Sequence, residues 1–578
     1  MKDLVLLWPF IKKRWKSMAL GTVFVGITNL LQAFIPSLIG DAVDILQSSF
    51  ILREIVGICG IILFLAFTKG VFRFLMRYIM IGASWKIEND IRVRLYEHLL
   101  KLPISFYTKS RTGDIIARIT NDLTAVRMMV GPAVMYSVNA VVLLPAVLLF
   151  MFSKDVELTL LAIIPFPFIA VMINRIGKRI HQDFKKVQES YSDISAHVQE
   201  NLNGIRVTKA YASEEFELNS LKELSLSYVH NNGRVIKLQS LFFPLLDVLA
   251  SVGIIILLWV GGKKVVAGET TLGTLVSLIM YIGLLVWPAI ALGWVVAIFQ
   301  RGTASMRRIL EILEEKPERQ DDGTDIRPFG GSISVKNLTF SYDGDTPVLD
   351  DISFDVKPGG TIAIVGRTGS GKSTLLELLT GAYDVPRGVI FYDGCDINDL
   401  PLSRIRSSVA FVPQETFLFS ETVGENIAFG AEDTGISGIE HAASLAAVEG
   451  DIASFPRGYE TVLGERGITV SAGQRQRLAI ARALISRAPI LFFDDCLSNV
   501  DTLTEMKILR NINSYIKNKT ALIVTQRLGA VKSADEILYM KDGLIIEHGR
   551  HEDLMKLDGE YAVLYKEQEL LDLLEGTM

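Results

Sequence analysis

Thr361-Ile-Ala-Ile-Val-Gly366-Arg-Thr-Gly369-Ser-Gly371-Lys372-Ser373-Thr374-Leu-Leu-Glu-Leu-Leu379 reads in succession as a strand, a glycine-rich loop and a helix. The apolar, β-branched run 361–365 has the composition of a buried strand. Residues 366–373 fit G-x-x-x-x-G-K-[ST], and an apolar helix opens at 372. Loop glycines let successive backbone N–H groups wrap a phosphate, and the helix N-terminus adds a favourable partial charge. Lys372 is placed to reach the β- and γ-phosphates of a nucleotide, and Ser373 to ligate Mg²⁺. Gly366, Arg367, Thr368, Gly369, Ser370, Gly371, Lys372, Ser373 and Thr374 are therefore the expected ATP-binding loop. The bland alternative, a glycine-rich turn with no ligand, does not account for the strand before it and the helix after it.

Working outward, the segments 408–412, 489–494 and 520–525 are further short β-branched runs between helical stretches. This is α/β grammar with a mainly parallel sheet. The run 490–494 ends in Asp494, whose carboxylate is expected to hold Mg²⁺ directly or through water. Upstream, 314–331 is charged and rich in Gly and Pro and reads as a linker. The expected domains are thus a membrane domain over 1–313, the linker, and a nucleotide-binding domain over 332–578.

The first half has a different grammar. Hydrophobic residues make up 49% of the 578, and mean hydropathy is +0.34, with the excess before residue 300. Apolar segments near 17–41, 54–80, 130–152, 156–178, 240–262 and 271–299 approach the roughly 20 residues needed to cross a bilayer. They predict an all-α domain of six membrane-spanning helices. The links 45–53, 153–155 and 263–270 are short, whereas 81–129 and 179–239 are long, polar and helix-patterned. Lys12, Lys13, Arg14 and Lys16, with the basic long links, mark one side, which the positive-inside rule assigns to the cytosol. Six spans return the chain to that side before the α/β half begins. The run from Met18 to Ile39 is too long for the core of a signal peptide, and more such runs follow. A formal net charge of -5 points neither toward nucleic acid nor away from it, and no nucleic-acid partner is expected. Cys59, Cys395 and Cys496 have no metal-ligand spacing, and no disulfide is expected.

Val470-Ser471-Ala472-Gly473-Gln474, followed by Arg-Gln-Arg-Leu-Ala-Ile-Ala-Arg-Ala-Leu, resembles the signature motif of ABC-type ATPases. The resemblance extends along the α/β half. Tyr342 matches the aromatic that stacks on adenine, Gln414 the Q-loop, Ser498 to Asp501 the D-loop, and Gly464-Glu465-Arg466-Gly467 the short segment that precedes the signature in exporters. These elements follow the family's order. In the first half, Phe106 to Asp122 and Asn201 to Tyr211 resemble the two intracellular coupling segments, and Gly261, Gly262, Gly268 and Gly273 are also typical. The resemblance implies an ATP- and Mg²⁺-dependent exporter in a cell membrane, with its ATPase domain cytosolic. It also implies that two ATPase domains meet head to tail, each ATP lying between one chain's phosphate loop and the other's signature. Ser471, Ala472, Gly473 and Gln474 would then serve the partner's ATP. Ser373, Gln414 and Asp494 would serve this chain's metal.

Three positions depart from the family's pattern. Asp495 stands where the family has Glu to polarise the attacking water, a carboxylate shorter by about 1.5 Å. Gln526 stands where the family has a switch histidine; it can donate to a γ-phosphate but carries no imidazolium charge. Ala472 replaces a signature glycine. The first two weaken hydrolysis and leave binding intact, which resembles the degenerate half of heterodimeric exporters. The expected partner is a different half-transporter with the catalytic Glu and switch His. A homodimer with slow sites, a lipid flippase and an ATP-gated channel or regulatory subunit stay open as alternatives. Within the membrane half, Lys69, Arg73 and Arg77 form one helical stripe, and Asp247 lies in the fifth span. Arg73 and Asp247 are candidates for a cavity that takes small hydrophobic or amphipathic substrate, against the alternative that these helices extend beyond the lipid, so that the stripe is partly cytosolic or pairs with a neighbour. Trp287, Trp294 and Phe299 either line a pocket or pack.

Overall fold

The computed structural model describes residues 8–48, 52–319, 329–342, 344, 346–431, 435–464, 467, 470–527 and 531–576. Glu465, Arg466, residues 49–51 of the link 45–53 and residues 320–328 of the linker lie outside the described residues.

Six long helices carry the apolar runs: α1 (Trp15–Gln47), α2 (Leu52–Leu99), α3 (Thr112–Lys154), α4 (Val156–Asn203), α5 (Glu214–Val266) and α6 (Leu272–Glu314). Each matches one expected span, but every helix continues beyond its apolar part. The long polar links are mostly these continuations, because leaving a bilayer changes which side chains are tolerated and does not end the backbone's hydrogen bonding. Short helix Ile104–Lys109 overlaps the start of the segment 106–122, most of which belongs to α3, and short helix Ile205–Ala210 lies within 201–211.

Packing in the membrane half uses small residues and hydrogen bonds, as expected where lipid competes equally for apolar side chains. At Gly273 of α6, a Cβ would come within 2.0 Å of the Gly40 carbonyl oxygen of α1. The Tyr281 hydroxyl donates to the Ala33 carbonyl at 2.9 Å, tying the same two helices. Deeper in the chain order, Asp122 takes two donors from Arg308 and one from Ser305.

Contact clustering gives two compact units, one of Met1–Leu100 with Arg111–Glu315 and one of Lys101–Ser110 with Lys316–Met578. Among its described residues the second unit contains ten strands: β1 (Ile333–Phe340), β2 (Leu349–Val356), β3 (Thr361–Val365), β4 (Ile390–Tyr392), β5 (Cys395–Asp396), β6 (Val409–Val412), β7 (Ile490–Asp494), β8 (Thr520–Val524), β9 (Glu536–Lys541) and β10 (Leu544–Gly549). The four segments recognised as strands from sequence are β3, β6, β7 and β8. They form the parallel core of a six-stranded sheet, order β10-β9-β3-β8-β7-β6. Residues 490–494 of β7 are all buried, which is why those strands read as unbroken apolar runs. A second, antiparallel sheet, β2-β1-β4-β5, had no distinct sequence signal. Part of the presumed linker is ordered: Glu318 pairs with Arg406, both guanidinium nitrogens at 2.8 Å, and Phe329 stacks on Tyr392.

Candidate functional site

Because β3, β8, β7 and β6 are parallel, their carboxyl ends share one edge of the sheet. Open α/β sheets bind ligands at that edge. It collects the loop 366–373 after β3, Gln526 after β8, Asp494 and Asp495 at the end of β7, and Gln414 two residues past β6.

The loop is built for close approach. Gly366, Gly369 and Gly371 have φ of 153°, 86° and 95°, the region that favours glycine. A Cβ on Gly366 would come within 2.1 Å of the Met540 carbonyl oxygen. The helix that follows, α7 (Lys372–Leu379), carries Lys372, whose Nζ donates to the carbonyls of Gly366 at 2.9 Å and Arg367 at 2.7 Å. Lys372 is buried, and burial lowers its pKa, opposed by the charges of Asp495 and Asp494.

Asp494 and Asp495 are buried neighbours. Burial raises both pKa values. At Asp494 a hydrogen bond from Ser373 opposes the rise and the charge of Asp495 adds to it. At Asp495 the backbone N–H of Gln526 opposes it. Asp494 Oδ1 is buried with no hydrogen-bond partner. An orphaned anionic oxygen beside a serine hydroxyl is a fitting pair of ligands for a hard cation such as Mg²⁺. The two departures from the family pattern meet each other: Gln526 Nε2 lies 3.5 Å from Asp495 Oδ2. Asp495 has φ of 42°, a conformation aspartate tolerates better than most residues.

Tyr342 lies beside α7. Its hydroxyl donates to Thr374 Oγ1 at 3.0 Å, and its ring meets Phe340 and Tyr383 edge-on at 5.1 and 5.3 Å. Glu377, one turn below Thr374, went unnoticed in the sequence; burial raises its pKa, and the charge of Asp494 acts in the same direction. Gln414 is exposed, and among the described residues no hydrogen bond joins it to the loop, Asp494 or Asp495.

The signature forms the start of α8 (Ala472–Ile485). Ser471 is its N-cap in a capping box with Gln474: the Gln474 N–H donates to Ser471 Oγ at 3.2 Å, and the Ser471 N–H to Gln474 Oε1 at 2.9 Å. Such a cap is worth about 1 kcal/mol. The accepting Oγ keeps its own proton free to donate outward. The two neighbours then differ sharply. Ala472 is exposed, whereas a Cβ on Gly473 would stand 2.8 Å from the Asn499 carbonyl oxygen. Gln476, overlooked in the sequence, explains that approach: it donates to Ser498 Oγ at 3.1 Å and accepts from the Asn499 N–H at 3.0 Å. Asp501 caps the next helix, α9 (Thr502–Tyr515), by accepting from the Thr504 N–H at 2.9 Å. The signature and the D-loop are thus one rigid corner.

Comparison with known proteins gives the family. The ABC transporter transmembrane region matches residues 18–289, and the ABC transporter ATPase family matches 349–498. A probable multidrug resistance ABC transporter ATP-binding/permease protein of Bacillus subtilis, YheI, is 36% identical over 98% of both chains. The chain belongs to the ABC transporters. An ATP-dependent lipid A-core flippase of Photobacterium profundum is 32% identical over 97% of both chains. A bacterial Atm1-family ABC exporter, solved with ATP bound, matches with a TM-score of 0.79 and 25% identity, over 96% of this chain and 99% of that one. This ABC exporter therefore has its membrane and ATPase domains fused in one chain. It is a multi-pass membrane protein and an ATP-hydrolysing transporter. Its ATPase domain is of the kind that binds ATP, normally with Mg²⁺.

In the membrane half of this ABC exporter the expected substrate residues are not brought together. Arg73 and Arg77 line a groove along α2, whereas Asp247 is exposed on α5 and does not line it. Trp294 meets Tyr136 edge-on at 5.3 Å, and Trp287 is exposed.

Proposed function

We propose that this chain is one half of an exporter for hydrophobic or amphipathic compounds, drug-like or lipid-like, and that its own site binds Mg²⁺ and ATP but hydrolyses it slowly. A different half-transporter with Glu and His at the positions matching Asp495 and Gln526 would pair with it. The N-terminus and the ATPase domain face the cytosol on this reading, and the segments 106–122 and 201–211 carry the closure of the ATPase pair to the spans.

The observation that carries the proposal is the Asp495–Gln526 pair. The residues this reading assigns to nucleotide binding keep the family's pattern: the loop 366–374, Tyr342, and Ser373 with Asp494. Mg²⁺ supplies charge neutralisation at the β- and γ-phosphates when bound. What is changed is confined to the groups that would address the attacking water. Asp495 stops about 1.5 Å short of a glutamate, and misplacement of about 1 Å costs on the order of 100-fold in rate. Gln526 supplies a neutral amide where a charged ring would help. The signature, by contrast, is serviceable for a partner's nucleotide: Ser471 and Gly473 are unchanged, and the extra methyl of Ala472 sits on an exposed position.

The test is ATP turnover by the purified chain, alone and mixed with a half-transporter of the stated kind. Low turnover alone, rising on mixing, supports the proposal. Robust turnover by the lone chain, at the level of an exporter with two glutamate sites, overturns it.

A further inference from the structure

Between the start of α1 and the middle of α2 lies a groove of about 810 Å³, within the range of sites that take a small ligand. Arg14, Arg73, Arg77 and Lys86 line it, together with the rings of Tyr78 and Trp85. Its charge is unbalanced. Among the described residues no carboxylate pairs with Arg73, Arg77 or Lys86. Of the nearby acids, Glu88 pairs with Arg92 and Arg127, outside the groove, whereas Asp90 faces Lys13 and the groove's own Arg14. Arg14 contacts Asp90 through one terminal nitrogen at 3.5 Å, and its Nε is buried with no partner. The Arg127 guanidinium lies 4.2 Å from the centre of the Trp85 ring and fixes one wall.

The groove also lies at a definite depth. The path along α2 from Leu52 to Arg73 is about 32 Å at 1.5 Å per residue, close to the roughly 30 Å of a hydrocarbon core. Arg73 and Arg77 therefore reach the headgroup layer on the side where α1 begins, the level at which Trp and Tyr also concentrate. Cations there snorkel toward phosphates, and basic pockets between spans hold anionic headgroups.

We propose that this groove is a binding site for the phosphate headgroup of an anionic lipid, with Arg73 and Arg77 as the paired phosphate ligands and Arg14 and Lys86 as flanking charges; Tyr78 and Trp85, the latter about 18 Å farther along α2, lie on its aqueous side. It rests neither on the pairing of this chain nor on which side of the membrane is cytosolic.

The full-length protein, purified in neutral detergent, is offered phosphatidylglycerol or phosphatidylcholine, and bound lipid is counted by native mass spectrometry. Each near-surface cation is worth about fivefold in affinity, so phosphatidylglycerol should be retained well above phosphatidylcholine. The double variant Arg73→Gln/Arg77→Gln should lose roughly 25-fold, and Arg73→Lys/Arg77→Lys should keep most of the preference. A second readout does not depend on the double variant folding. In the unaltered protein, raising the salt concentration should weaken retention of phosphatidylglycerol and leave that of phosphatidylcholine unchanged. Equal retention of the two lipids, or a preference that survives in the Gln variant, overturns the proposal. So does displacement of the lipid by millimolar inorganic phosphate, which would make the groove a free-anion site. Loss of self-association in the Gln variant without loss of lipid would make it a subunit contact, and also overturns the proposal.

Discussion

The loop after β3 and the paired ends of β7 and β8 lie along one sheet edge, yet they have been held to different standards. At the loop, substitution has almost no room: Gly366 and Gly371 occupy conformations and spaces that exclude a side chain, with the Val348 carbonyl oxygen 2.8 Å from a Cβ on Gly371. At the strand ends, Asp495 and Gln526 fit each other and the backbone without strain beyond one residue at positive φ. Holding a nucleotide depends on backbone N–H groups whose positions are fixed by packing. Cleaving one depends on the reach of two side chains, which can change without disturbing the sheet. Binding and hydrolysis can therefore be separated by substitution, in that order of difficulty.

The largest effect should come from the loop. Lys372→Ala removes the cation that now bonds two loop carbonyls and that would meet the phosphates. ATP affinity, measured by equilibrium binding of a fluorescent nucleotide, should fall by on the order of 100-fold, about 3 kcal/mol. If affinity barely changes, the loop is not the phosphate site. The strand ends should respond in the opposite sense. Asp495→Glu with Gln526→His should leave affinity near that of the parent and raise turnover by on the order of 100-fold. Turnover is to be read in the assembled transporter. An unchanged rate would show that the two residues are not what limits this site.

A finer contrast lies within the signature. Gly473→Ala puts a methyl 2.8 Å from the Asn499 carbonyl oxygen, and overpacking of that kind costs about 1–3 kcal/mol. Ala472→Gly, one residue away and exposed, should stay within about 1 kcal/mol. Thermal unfolding of the two variants decides between them. Equal effects would mean that the corner between signature and D-loop is not rigid.

How much of this was legible beforehand depended on the kind of signal. The parallel strands announced themselves because buried parallel strands are continuously apolar, as in Ile490–Asp494. The spans did so through length and hydropathy. The antiparallel β1, β2, β4 and β5 were not distinguished, since their half-exposed alternation, as in Leu349–Val356, resembles that of many surface segments. In the site, the loop, Asp494, Asp495, Gln526 and the signature were found by spacing and by the family's pattern. Glu377 and Gln476 were not. Glu377 matters only because folding sets it between Tyr342 and Asp494, and Gln476 only because it faces the D-loop. Arg73 was recognised as a charge at membrane depth, but Arg14 and Lys86, its companions in one groove, are distant or unremarkable in sequence.

The smallest effect concerns Asp494. Its pKa is raised by burial and by Asp495, with Ser373 and Lys372 opposing. A carboxyl whose pKa is higher folded than unfolded makes the folded state bind protons more readily. Without a cation, ionising it therefore works against folding as pH rises from the ordinary carboxylate range through the raised value, and protonation relieves that cost. Asp494→Asn should then raise the melting temperature of the metal-free protein at pH 7 by a few degrees, about 1 kcal/mol, with the gain vanishing toward pH 4. The same variant should lose the stabilisation that Mg²⁺ with ATP confers on the parent, since a neutral amide replaces the buried anionic oxygen. Differential scanning with and without Mg²⁺ and ATP reads both effects. A metal-free variant less stable than the parent at pH 7 would show that Asp494 serves the fold as a hydrogen-bond acceptor. Stabilisation by Mg²⁺ with ATP that persists in the variant would place the metal on other ligands, and the distinction between a binding side and a hydrolysing side of this edge would have to be redrawn around them.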